Sequence, residues 1–303
     1  MVIADITANI LVQEEFKFSP GITADKVIEL IGEKFFEVIK AEKLNFEKFI
    51  GCGLSIPGLL DRKTNKIIIA PNLSWNEVDL ESKVSKVLNM PVYIENEAMC
   101  SAICEHWIGK CSDKENFVCI NIESGIGAGI FIGDSIYRGY SGSAGEIGHL
   151  IVKENGRLCG CGNRGCLETY ASIRHMLEEI NEKIKNGYTS EIIKPGTDAM
   201  SWKQVVEAAY QGEQLCIEVL NKGAEYVGFA VAYLINTLNP EAIVIGKCFT
   251  DFAPLVMDTL IKTVKEKALK YPVSKVKIYT SEFGMNSSAM GAAMIPIRKV
   301  FGK

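Results

Sequence analysis

Between Cys159 and Cys166 the chain reads Cys-Gly-Cys-Gly-Asn-Arg-Gly-Cys, with His149 ten residues before the first cysteine. Gly160, Gly162 and Gly165 allow a backbone tight enough for three sulfurs to converge on one point. Three thiolates and one imidazole, Cys159, Cys161, Cys166 and His149, form a complete tetrahedral set for zinc. Four protein ligands leave no open coordination position, so such a site is structural and does not activate water. The competing explanation is a scatter of buried thiols. It is disfavoured because the chain has only three histidines and one stands at a loop-closing distance. No secretory signal precedes this cluster: Asp5 interrupts the first apolar run and no basic segment comes before it. The ten cysteines are therefore expected to be reduced thiols in a cytoplasmic protein.

A length of 303 residues predicts about two domains, each with a sizeable core. With 48% hydrophobic and 23% charged residues the chain belongs among ordinary globular proteins. A net charge of −4 argues against the basic face that nucleic-acid binding requires. The longest apolar stretch, Val227 to Leu238, is too short for a membrane span and is broken by Asn236.

Periodicity places strands at Val2 to Ala4 and Ile10 to Phe18 around a polar corner, then a helix from Ala24 to about Lys43 capped by Thr23. Its apolar face is Val27, Ile28, Ile31, Phe35, Val38 and Ile39. Strands are expected at Phe49 to Ile56, Lys66 to Ile69 and Val92 to Glu95, with helices at Glu81 to Leu88 and Ala98 to Ile108. Beyond these, strands are expected at Phe117 to Ile122, Gly129 to Ile132 and Ser135 to Tyr137. Helices follow at Ser172 to Lys185, Ser201 to Gln211 and Gln214 to Leu238, the last ending at Asn239-Pro240. Small residues Gly223, Ala224, Gly228 and Ala232 suit it to close packing. Strand Ala242 to Ile245, helix Ala253 to Leu269, strand Val276 to Tyr279 and a helix from Ser288 complete a two-domain α/β pattern with a cleft.

The stretch Gly145-Glu-Ile-Gly-His149 followed by Cys159-x-Cys161-Gly-x-x-Gly-Cys166-Leu-Glu168 resembles the signature of the ROK family of repressors and sugar kinases. Further matches are Gly53-Leu-Ser-Ile-Pro-Gly58 with Asp61, Ala70-Pro-Asn-Leu73 with Trp75, Glu95-Asn96-Glu97-Ala98, Ser124-Gly-Ile-Gly-Ala-Gly129, Ile243-Val-Ile-Gly246 and Gly291-Ala-Ala293. The resemblance implies an actin-like, ribonuclease H-like ATPase fold with sugar in an interdomain cleft. It implies a small domain of residues 1–96 plus a C-terminal helix 288–303, and a large domain of 97–287 carrying the zinc loop 149–166. It also implies that Gly58, Asn96, Glu97, Glu146, His149 and Glu168 lie at the sugar, an assignment consistent with the many hydroxyls a monosaccharide presents. For Trp75, core packing and a place at the sugar rim both remain open.

Several positions depart from the kinases of that family. The first strand and its Asp-x-Gly-Gly-Thr phosphate loop are missing, so strands 2–18 and 49–56 should lack their shared neighbour. The catalytic base, an aspartate in the kinases, is Glu97, and displacement of a carboxylate by about an ångström can cost roughly 10²-fold. The second phosphate loop reads Glu123-Ser124-Gly125, bringing like charge to phosphate, and the nucleotide-binding Gly-Gly pair reads Gly246-Lys247. ATP is therefore not expected as a cofactor, and no catalytic residue is expected. The resemblance instead implies a sugar-sensing, oligomerising module of a transcriptional repressor, xylose-responsive in type, forming a homodimer or tetramer. DNA would be contacted only through an N-terminal winged helix-turn-helix not in this chain, and Met1 need not be the natural start. The alternatives are an ATP-dependent sugar kinase of glucokinase or fructokinase type, with Glu97 as base, and a non-functional remnant.

Overall fold

The computed structural model describes residues 1–18 and 21–301. Strand β1 (Val2–Ala4) pairs antiparallel with β2 (Ile10–Gln13) across a corner in which the Asp5 carboxylate accepts from the Thr7 and Asn9 backbone N–H groups. The strand expected to continue to Phe18 stops at Gln13: Ile10 and Leu11 are 41% and 56% exposed, so no core face sustains the alternation. Helix α1 (Ala24–Ala41) starts where the Thr23 hydroxyl accepts from Lys26 N–H. It buries Val27, Ile28, Phe35, Val38 and Ile39 as its spacing predicts, with Ile31 half-buried.

Strand β3 (Cys52–Ile56) begins later than expected because a 3₁₀ turn, Phe46–Lys48, precedes it. A three-stranded antiparallel sheet follows, made of β4 (Leu59–Leu60), β5 (Ile67–Ala70) and β6 (Trp75–Val78). Helix α2 (Leu80–Leu88) then leads to β7 (Val92–Asn96), which runs parallel to β3. These elements enclose one core that includes Phe35, Ile56, Leu60, Ile67, Leu80 and Ile94. Trp75 belongs to it: the ring is 6% exposed and donates its Nε1–H to Ile22 O at 3.0 Å, which decides between core and sugar rim. The pairs β1–β2 and β3–β7 are separate, and no strand lies between them among the described residues.

Helix α3 (Glu97–Ile108) follows β7 directly. The meander β8 (Phe117–Ile122), β9 (Ile126–Ile132) and β10 (Ser135–Tyr137) precedes the helices α4 (Glu168–Ala171), α5 (Ile173–Lys185), α6 (Trp202–Tyr210) and α7 (Gln214–Leu238). Then come β11 (Ala242–Lys247), α8 (Ala253–Lys267), α9 (Lys270–Val273), β12 (Lys277–Thr280) and α10 (Ser287–Phe301). The five strands order as β10-β9-β8-β11-β12, with β8, β11 and β12 parallel.

Strands β8 and β11 are buried on both faces, which dictates helices above and below. Val118, Ile120, Ile122, Ile243 and Ile245 share a core with α5 to α8. The alternate residues Phe117, Cys119, Ala242 and Val244 pack instead with Met99 and Ile103 of α3 and Met294 and Ile297 of α10.

Helix α10 fits so closely on α3 that a Cβ added at Gly291 would stand 1.7 Å from Cys100 O, a backbone atom that cannot swing aside. Gly291→Ala is expected to destabilise by about 3 kcal/mol, at the upper end for overpacking. Urea unfolding measures it, and a midpoint unchanged from wild type would refute the close approach.

Candidate functional site

Because β3 runs parallel to β7 and β8 parallel to β11, the strand ends deliver Gly58, Asn96–Glu97, Glu123 and Lys247 to the carboxyl edges of their sheets. Ligands of open α/β sheets bind at such edges. Asn96 is first of all the cap of α3: its Oδ1 accepts from Ala98 and Met99 N–H at 2.8 and 3.3 Å. Its Nδ2 donates to Gly58 O at 3.0 Å, leaving one amide proton for another acceptor.

Glu97, the first residue of α3, meets a partner from across the fold. The Lys247 side chain is 3% exposed, and its Nζ lies 2.7 Å from Glu97 Oε1 and 4.0 Å from Glu123 Oε2. It also donates to Ser288 Oγ at 2.7 Å and Met285 O at 3.2 Å. Glu97, Ser288 and Met285 together satisfy the three ammonium protons. Lys247 holds this place with φ +60° and ψ −140°, a region nearly exclusive to glycine that costs a side-chain-bearing residue about 1–3 kcal/mol. Burial pushes the Glu123 carboxyl above its usual pKa; the Glu97 charge adds to this and Lys247 opposes it. In sequence, Lys247 is visible only as the loss of a glycine; its partner is not.

The cysteine loop is built by two short bridges, Ile151 to Cys166 and Leu158 to Arg164. Gly165 is required twice over: its φ is +83°, and a Cβ would lie 1.7 Å from Lys153 O. Gly160 has open space around it and no positive φ, so it is not needed for the turn. Ligand atoms of His149, Cys159, Cys161 and Cys166 all lie within 4.8 Å of one another. His149 Nδ1 is 3.6 Å from Cys159 Sγ, and the Cys161 and Cys166 sulfurs are 3.7 Å apart. Zn–S bonds of about 2.3 Å at tetrahedral angles place sulfurs about 3.8 Å apart, close to the spacing of these two pairs, so this cluster could hold a metal ion. Backbone N–H donation from Asn163 lowers the exposed Cys161 thiol to about 7, which favours the thiolate a metal needs. Burial raises Cys159 and Cys166.

Glu168 adjoins the tetrad, its Oε1 standing 3.0 Å from Cys159 Sγ and 3.8 Å from His149 Nδ1. Glu146 opens the 3₁₀ turn Ile147–His149. Although the residue reaches solvent, neighbouring atoms desolvate its carboxyl and raise its pKa, His149 opposing and Glu168 adding. The structure therefore groups Glu146, His149 and Glu168 at the tetrad, and Gly58, Asn96 and Glu97 at the β7–α3 junction. No direct hydrogen bond joins the two groups among the described residues. They meet through the β8–β9 turn. A Cβ at Gly125 would lie 3.6 Å from Glu168 Oε2, and Glu123 beside it faces Lys247. Two surface concavities of about 370 and 240 Å³, lined by Lys114 and Lys275 among others and by Ile192 and Gln204 among others, contain none of these residues.

Glu95, which the sequence places in the Glu95-Asn96-Glu97-Ala98 match without a role, is the buried hub of an ion-pair cluster. It is 3% exposed and accepts from Arg138 Nε and Nη2 at 3.0 and 2.8 Å, from both terminal nitrogens of Arg62, and from Asn96 N–H at 2.9 Å.

Residues 1–299 match the ROK family. The chain belongs to the ROK family. A curated relative, the xylose repressor of Caldicellulosiruptor bescii, is 30% identical over 285 residues, covering 91% of this chain and 71% of that protein. Among solved structures, a ROK family transcriptional regulator, homologue of the Escherichia coli MLC protein, superposes with a TM-score of 0.86 at 26% identity over 97% of this chain and 74% of that one. A ROK family glucokinase from Streptomyces griseus, in complex with glucose and AMPPNP, gives a TM-score of 0.83 at 28% identity over 96% and 93%. The mixed α/β fold of this ROK chain is thus the actin-like fold the sequence led us to expect, and its relatives include both regulators and sugar kinases. No helix among the described residues is long and apolar enough to cross a membrane.

Proposed function

We propose that this ROK chain is the sugar-sensing and oligomerising module of a transcriptional repressor, xylose-responsive in type, and that it does not transfer phosphate. The observation that carries the reading is the Lys247 ammonium on Glu97 Oε1. A kinase base at Glu97 must both reach the sugar hydroxyl and stand in line with the phosphate that replaces its proton. Here Oε1 is tied to a buried cation whose other protons are engaged, which leaves only Oε2 for a hydroxyl, and the Glu123 carboxyl, 4.0 Å from the same ammonium, sets like charge against a phosphate beside it. Similarity to the xylose repressor supports the regulatory side.

In this reading a monosaccharide lies between a lobe of residues 1–96 with the C-terminal helix and a lobe of 97–287. Gly58, Asn96, Glu97, Glu146, His149 and Glu168 bind its hydroxyls. Since His149 presents Nδ1 to the sulfurs, Nε2 is left for the sugar. Zinc, held by His149, Cys159, Cys161 and Cys166, supplies a rigid anchor for Glu168 and the imidazole. Sugar would shift the closure equilibrium of a homodimer or tetramer. With a net charge of −4, DNA contact would fall to another domain. The alternative, an ATP-dependent sugar kinase with Glu97 as base, draws on the similarity to the glucokinase solved with AMPPNP.

Calorimetric titration with D-xylose and D-glucose, paired with a coupled ADP-release assay, tests the reading. We expect saturable heat with one aldose and ADP release at the protein-free background. Sugar-dependent ADP release above background would replace the sensor with the kinase.

A further inference from the structure

We propose that Lys247 is a positioning residue for sugar binding, acting through Glu97: it fixes Oε1 so that Oε2 is held ready to accept from a sugar hydroxyl. The proposal rests on the sugar-binding reading above. Lys247 itself is out of reach of a ligand, its side chain 3% exposed, whereas the Glu97 side chain is 27% exposed. Contact with sugar therefore falls to the carboxylate and its orientation to the ammonium.

The lysine is well built for that task. Its remaining protons go to Ser288 Oγ on α10 and to Met285 O in the turn before it, so the ammonium is tied to two other elements and cannot follow Glu97 if that side chain swings. A carboxylate held in its binding rotamer before the ligand arrives does not lose that freedom on binding. The ammonium also stands between two carboxyl groups, Glu97 at 2.7 Å and Glu123 at 4.0 Å. Without it the two acids would repel, and Glu97 would turn away from the position a hydroxyl needs. The backbone points the same way. At φ +60°, ψ −140° a glycine would be relaxed, yet the chain carries a long cationic residue there. Strain kept at one position beside a candidate ligand site is a mark of function.

The test is a double-mutant cycle read by calorimetry with D-xylose and D-glucose on the whole chain: wild type, Lys247→Met, Glu97→Gln and the double variant. Lys247→Met is expected to weaken binding of the aldose about 10-fold, the worth of one charge-assisted hydrogen bond. In the Glu97→Gln background the same change should weaken it by less than about 2-fold, because the group through which it acts is gone. Methionine must still hold the strained backbone, so Lys247→Gly, with a melting curve to show that it folds, is the second variant, and the same loss is expected. Equal loss in both backgrounds, or unchanged affinity in both Lys247 variants, overturns the proposal while leaving the sugar reading intact. No heat from wild type with either aldose overturns both.

Discussion

Chelating the metal, or replacing one ligand by Cys159→Ser, will lower the melting temperature by on the order of 10 °C and reduce bound zinc from about one ion per chain to near none. The size follows from linkage: an ion that binds only the folded state contributes about 4 kcal/mol when its free concentration is a thousand times its dissociation constant. For a chain of this length each kcal/mol shifts the midpoint by about 2–4 °C. Besides the ion, the loop is held mainly by polar contacts at Arg157, whose N–H donates to the Tyr170 hydroxyl and whose guanidinium reaches Thr169 O and Glu179. Apart from its two short bridges, the segment from Val152 to Arg164 places few side chains in the core, and Leu158 is 63% exposed. The buried sulfurs of Cys159 and Cys166 would then face each other, His149 and Glu168 without a shared charge to satisfy them. Glu168 and His149 lose their anchor in the same event, so sugar affinity should fall with the metal. Cys161, the exposed member, should become the first to react with a thiol reagent. Elemental analysis and a melting curve with and without chelator decide the matter. Metal-free protein with an unchanged midpoint would mean that the tetrad is only a cluster of thiols.

That tetrad was legible in the sequence because its information is local: three cysteines in eight residues constrain one another whatever the rest of the fold does. The same holds for α7, whose bounds Gln214–Leu238 were read in full because an apolar run ends at the stop signal Asn239-Pro240. Short elements were missed. Strand β4 has two residues and β6 carries Asn76 and Glu77 on its outer positions, too little apolar period to register. Strand β9 starts at Ile126 and was expected only from Gly129, because Gly127 interrupts the apolar count before it. The polar links were beyond reach for a different reason. Lys247 finds Ser288 41 residues away, and Glu95 finds Arg138 43 residues away, so each contact depends on how the sheets assemble and not on any spacing. A lone lysine or glutamate in a strand reads as a solvated edge until tertiary packing buries it.

Glu95→Ala will be the most destabilising single change at the β7–α3 junction, at about 3 kcal/mol. One carboxylate, 3% exposed, here accepts from two guanidinium groups and from the N–H of Asn96. Removing it leaves Arg62 and Arg138 facing each other with no counter-charge. Breaking a buried ion pair from one side costs about 3–5 kcal/mol in general. The lower end applies because the Arg62 and Arg138 side chains keep 24% and 39% of their surface in water. Glu95→Gln should cost less, since the amide still accepts one hydrogen bond. Arg62→Ala and Arg138→Ala should each cost less again, because Glu95 retains the other guanidinium. The asymmetry is what separates electrostatics from packing: if loss of the stems were the cause, the two arginine variants, with their longer side chains, would be the more damaging. The junction also carries Asn96 and Glu97, so Glu95→Ala should weaken aldose binding beyond its effect on stability. Arg62 lies in the turn after β4 and Arg138 just beyond β10, so the triad ties the N-terminal sheets to the five-stranded sheet. Urea unfolding of the three alanine variants gives the order, and equal midpoints for Glu95→Ala and Arg138→Ala would show that the carboxylate is not its centre.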